Sequence, residues 1–215
     1  MQKNYVLKNI LYLNIEMYKI IYDFKIEKTS IPTRFINIII HHTGNTNTIQ
    51  GIIDLHVKKN HFSSIGYHFL ISKSGKIYLS RELKYAGAHT YLYNKNSIGI
   101  AFLGNYDKEE LTQKQILALE NLIYNLKKKY PIKRILGHNQ AIYNKTKSKY
   151  YKENLENINL FEIPSPISYN KFIIDSTSKI LKDYSKKSDV DLIKKLKTCP
   201  GFKTYKILNE IINKN

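Results

Sequence analysis

The chain has 215 residues, of which 42% are hydrophobic and 12% aromatic. That length suits one large domain, or one domain carrying a substantial insertion, and that apolar fraction excludes general disorder. Lysine and arginine outnumber aspartate and glutamate 35 to 17, giving a net charge of +18, and Cys199 is the single cysteine. An intramolecular disulfide framework is therefore excluded, and the thiol is free, a metal ligand or a nucleophile. The sequence holds no long run of uncharged apolar residues; a membrane-spanning helix needs ~18 or more. So positive a chain is drawn to polyanions such as nucleic acid, anionic lipid or an acidic wall polymer. An AT-rich genome is an equal explanation for the excess of Lys, Asn, Ile and Tyr.

Near the start, Ile10, Leu11, Leu13, Met17, Ile20 and Ile21 recur at near-helical spacing and predict an amphipathic helix packed on the domain. Lys3 and Lys8 precede it as in a signal sequence, but Glu16 and Lys19 interrupt the apolar stretch and no clean cleavage site follows, which leaves an uncleaved anchor as the lesser alternative. Residues 35–40 are rich in β-branched side chains and predict a buried strand ending at His41-His42-Thr43-Gly44. Residues 48–59 have helical spacing, with Ile49, Ile52, Ile53 and His56 on one face. Residues 67–71 and 76–79, separated by Ser74-Gly75, read as a hairpin, and 97–104 as a further buried strand. Thr112 caps a helix that turns Ile116, Leu119, Leu122, Ile123 and Leu126 inward, places Lys127 to Lys129 at its cation-favouring end, and stops at Pro131. Residues 134–138 form a short strand ending at His138, and 202–212 a closing helix. Alternating strands and helices indicate an α/β domain, and strand ends along one sheet edge are where such domains place their sites.

His41, His138 and Cys199 are of the types that bind zinc. Singly each is ordinary, since a lone histidine is more often structural and a lone cysteine is usually a small buried apolar residue. Spacing alone does not join them.

Six motifs then occur in order: Ile39-Ile40-His41-His42-Thr43, Ile65-Gly66-Tyr67-His68-Phe69-Leu70-Ile71, Gly87-Ala88-His89-Thr90, Asn96-Ser97-Ile98-Gly99-Ile100-Ala101-Phe102-Leu103-Gly104-Asn105, Leu136-Gly137-His138 and Thr198-Cys199-Pro200-Gly201. Together they resemble the type 2 N-acetylmuramoyl-L-alanine amidase and peptidoglycan recognition protein family. The resemblance implies a central mixed β-sheet flanked by helices, with one zinc ion in a surface groove. It divides the chain into a helical extension (1–34), the amidase core (35–138), a largely helical insertion (139–196) and the end of the core with a C-terminal helix (197–215).

The resemblance further implies that His41, His138 and Cys199 ligate the zinc, and that Tyr67 and Lys197 are catalytic. His89, Asn94, Asn45 and His42 are then the groove residues that contact substrate. His42 is the exception among these on other grounds: it neighbours His41 on a strand, so it points to the opposite face and reads as a core or outer-shell histidine. A cytosolic branch of the family carries a glutamate where this chain has Ala101, and an aspartate as third ligand; Ala101 and Cys199 place this chain nearer the tyrosine/cysteine branch. The implied reaction is hydrolysis of the bond between N-acetylmuramic acid and L-alanine in bacterial peptidoglycan, with zinc-bound water as nucleophile. The implied partner is peptidoglycan, not nucleic acid, with no stable membrane insertion and a monomer as the expected state. That substrate lies in the periplasm or cell wall.

Two alternatives stand beside this one. A non-catalytic peptidoglycan-binding protein typically lacks the cysteine, and a basic nucleic-acid-binding protein leaves the six motifs unexplained. The departure from the family lies between His138 and Cys199, which are roughly 60 positions apart where a short loop is usual; loop closure tolerates such length thermodynamically. The insertion is expected to be ordered and to lie near the groove rim. It either grips glycan through Lys and Tyr, limits access to the groove, or is a surface elaboration of this lineage.

Overall fold

The computed structural model describes residues 6–21, 30–44, 46–138, 141, 199–200, 204 and 207–208. Strands β1 (Val6–Tyr12) and β2 (Ile15–Ile21) are followed by β3 (Asn37–His42) and a short helix α1 (Ile49–Ile53) that continues as a π-helical segment (Asp54–Lys59). Then come β4 (Phe69–Ile71), β5 (Ile77–Leu79), β6 (Ser97–Phe102), the long helix α2 (Gln113–Lys129) and β7 (Arg134–Gly137). The strands form one mixed sheet in the order β1-β2-β5-β4-β6-β3-β7. β4, β6, β3 and β7 run parallel, β5 is antiparallel to β4, and β1 is antiparallel to β2.

The central strands are apolar along their whole length because both faces are covered, as parallel strands require. Ile38, Ile40, Ile98, Ile100 and Phe102 pack under Leu119, Leu122, Ile123 and Leu126 of α2. On the opposite face Leu70 and Ala101 meet Ile52 and Ile53 of α1. α2 begins at a reciprocal cap: the Thr112 hydroxyl accepts from Gln115 N–H while the Gln115 side chain accepts from Thr112 N–H, which satisfies two otherwise unpaired helix-end donors.

The N-terminal segment corrects the helical expectation for residues 10–21: it is the β1–β2 hairpin, docked through β2 onto β5. Ile15 and Met17 enter the α2-side core and Ile20 the α1-side core, a two-residue alternation. Leu13 and Asn14 both take positive φ (55° and 56°), as a tight two-residue hairpin turn demands. Six apolar positions in twelve residues fit either period, and an open sheet edge selects the strand. The closing helix is helical at Thr204, Ile207 and Leu208, with Leu208 buried in the α2-side core. Apart from Ala141, the insertion lies outside the described residues.

His68, just before β4, is a wholly buried structural imidazole. Its Nδ1 accepts from Gly99 N–H (3.0 Å) and its Nε2 donates to the Tyr85 carbonyl (3.1 Å). Burial first, opposed by that carbonyl and aided by the Arg81 charge, brings its pKa down to about 3. Unfolding frees this ring to take a proton below its ordinary value of 6.5. Its contribution is thus complete above that pH and is lost as pH falls toward 3. Urea unfolding is expected to show stability falling through this window, His68 alone accounting for about 1.4 kcal/mol per pH unit. His68→Gln, which cannot titrate, is expected to flatten that part of the slope.

Candidate metal centre

β3 and β7 are parallel neighbours whose register pairs Ile40 with Gly137. The next residue on each is a histidine, so His41 and His138 leave the same sheet edge side by side, their ring centroids 4.7 Å apart. Cys199 arrives from far along the chain, with Sγ 3.8 Å from His41 Nδ1. One ligand atom from each of His41, His138 and Cys199 lies within 4.8 Å of the others. Ideal tetrahedral zinc would set such atoms roughly 3.3–3.5 Å apart, so the donor set fits a zinc ion after a small contraction. The backbone N–H of His42 donates to Cys199 Sγ (3.3 Å), a bond that favours the sulfur carrying negative charge. Burial, and then the nearby His138 and His89 rings, hold the His41 pKa well below the ordinary value, so its imidazole is neutral and able to ligate.

Tyr67 joins the cluster from the α1 side. Its ring centroid is 5.0 Å from that of His41 and 5.3 Å from that of His56. Burial, reinforced by Cys199, pushes its pKa up, so it is a phenol that donates rather than a base. His56 sits on the inner face of its helix, as the spacing predicted, and its Nδ1 accepts from Gly66 N–H (3.0 Å), fixing the backbone beside Tyr67. Ala101 pairs directly with His41 across the sheet, so a side chain there borders the centre.

The remaining groove residues divide. His89 lies against the inner side of His41, with Nδ1 3.0 Å from His41 Nε2. Asn94 Oδ1 accepts from the backbone N–H groups of both His89 and Thr90 (2.9 Å each), so it holds the loop that carries His89. His42 points to the α2 side, where its Nδ1 accepts from Tyr106 N–H (3.0 Å) and its Nε2 lies 3.8 Å from Asp107. Its ring therefore does not join the cluster and packs on the α2 side, as strand alternation implies. Asn45 and Lys197 lie outside the described residues.

Two features were not read from the sequence. Thr90 Oγ1 lies 3.4 Å from His41 Nε2 and 3.1 Å from His89 Nδ1. Gly99, inside β6, makes room for His89: a Cβ there would fall 2.5 Å from the His89 ring, and one at Gly87 would fall 2.3 Å from it. An isolated glycine within a strand pattern was the available signal for such a close approach. Gly99→Ala is expected to destabilise the fold by about 1–3 kcal/mol, the usual cost of overpacking, measured as a lower urea midpoint. An unchanged midpoint would mean that the His89 ring yields without cost.

Residues 32–150 match the family described as N-acetylmuramoyl-L-alanine amidase. The chain is 36% identical over 105 residues to peptidoglycan-recognition protein SC2 of Drosophila melanogaster, a match that covers 45% of this chain and 57% of that one. It thus spans little more than half the length of that relative. Among solved structures it resembles the N-acetylmuramoyl-L-alanine amidase LysC from Clostridium intestinale, with 33% identity and a TM-score of 0.54 over 57% of this chain and 82% of that one. It also resembles bumblebee PGRP-SA, with 28% identity and a TM-score of 0.52 over 64% and 90% of the two chains.

Proposed function

Because the chain belongs to the N-acetylmuramoyl-L-alanine amidase family, we propose that it hydrolyses the amide joining N-acetylmuramic acid to L-alanine in bacterial peptidoglycan, with one zinc ion held by His41, His138 and Cys199. The observation that carries this reading is the meeting of two strand-end imidazoles and one distant thiol in a single cluster. Zinc held by these three residues would supply an acidified water near neutral pH and positive charge for the substrate carbonyl.

The chain's own residues supply the rest. Tyr67, kept as a phenol by burial, donates a hydrogen bond to the oxygen that gains charge as the amide carbonyl is attacked. Lys197, two positions before Cys199 in sequence, offers a fixed positive charge for the same oxygen. The neutral ring of His41 and the N–H···S bond from His42 keep two of the donors in their ligating forms. The net charge of +18 draws the protein to an acidic wall polymer. No helix among the described residues is long and apolar enough to cross a membrane.

A non-catalytic peptidoglycan-binding protein is the second reading, since similar chains include proteins named for recognition. The cysteine within the cluster favours the hydrolase. Purified peptidoglycan incubated with zinc-loaded protein separates the two by mass spectrometry of the released material. Free stem peptides beginning with L-alanine, lost with a chelator and regained with zinc, are expected. Binding to the wall with no new peptide N-terminus would instead identify a binding module.

A further inference from the structure

We propose that His89 is a positioning residue for the metal centre: by accepting a hydrogen bond from His41 Nε2 it fixes the tautomer that leaves His41 Nδ1 free to ligate. This rests on the zinc reading above and deepens it. His41 turns Nδ1 toward Cys199 Sγ, so the ligating lone pair belongs on Nδ1 and the proton on Nε2. That buried N–H needs an acceptor, and His89 Nδ1 is the nearer of two at 3.0 Å, with Thr90 Oγ1 at 3.4 Å. Ligating histidines commonly pass their second nitrogen's proton to such an outer partner, which sets ring orientation and basicity.

The seat of His89 is built for this contact. Glycines at 87 and 99 clear its ring, and Asn94 holds the backbone of both His89 and Thr90. If Nδ1 accepts, the His89 proton sits on Nε2. That atom is buried and makes no hydrogen bond among the described residues. Such an unmade bond is normally avoided because a buried unpaired donor is destabilising. The fold accepts it at His89 while keeping the Nδ1 side against His41.

The test is zinc affinity, measured by competition with a chromophoric chelator on the full chain. His89→Leu, which keeps bulk but offers no acceptor, is expected to bind zinc ~10–100-fold more weakly. His89→Asn, whose Oδ1 falls close to the place of Nδ1, is expected to stay within about threefold of wild type, small beside that outer-partner loss. A leucine variant that binds as tightly as wild type, or an asparagine variant as weak as the leucine one, would overturn the proposal. Should the leucine variant not fold, nitrogen-15 imidazole spectra of zinc-loaded wild type decide. They are expected to show both His41 and His89 protonated at Nε2, and a proton on His89 Nδ1 would overturn the assignment. Wild-type protein that bound no zinc would remove the metal reading itself, whereas the variant outcomes bear on His89 alone.

Discussion

Cys199→Ser is expected to lose zinc and, with it, turnover of peptidoglycan. The thiolate is the one soft, anionic donor in the cluster, and a serine hydroxyl stays protonated and binds zinc poorly. The loss in zinc affinity should exceed the ~10–100-fold that outer partners typically cost. The fold should survive better than the site, because serine is close in size and the strands carrying His41 and His138 are paired to each other independently of Cys199. Zinc stoichiometry after dialysis, read beside the circular dichroism of the same sample, checks this. A serine variant that kept stoichiometric zinc and full turnover would place the hydrolytic centre elsewhere.

Tyr67→Phe is expected to do the reverse: zinc stays and rate falls. The proposed ligands are His41, His138 and Cys199, so deleting the phenol oxygen removes none of them. It does remove an O–H that burial has kept protonated beside His41. Loss of one donor aimed at developing charge costs ~10²–10³ in kcat. The fall should appear in kcat with little change in KM, because the bond strengthens as charge develops. Equal loss of zinc and rate would instead make Tyr67 a packing residue of the metal centre.

Much of this was legible in the sequence, for identifiable reasons. The runs at 35–40 and 97–104 are continuous in β-branched and small apolar residues, so their burial as parallel strands follows directly. Thr112 marked the cap of α2, whose reciprocal partner Gln115 the structure adds. The two histidines were legible as strand ends, and parallel pairing made them neighbours. Cys199 was joined to them only through the six-motif resemblance, because no local rule connects residues so far apart. The N-terminal hairpin was misread because its apolar spacing satisfies two periods, and its turn uses Leu13-Asn14 where glycine is the familiar signal. His89 was expected in contact with substrate; its place beneath His41 depends on space left by Gly87 and Gly99, which only the packed sheet reveals.

The most direct measurement is X-ray absorption at the zinc edge of the loaded protein. One sulfur at about 2.3 Å, two imidazole nitrogens at about 2.0–2.1 Å and one further light atom are predicted. A shell of nitrogen and oxygen alone, with no sulfur, would contradict a centre assembled from His41, His138 and Cys199.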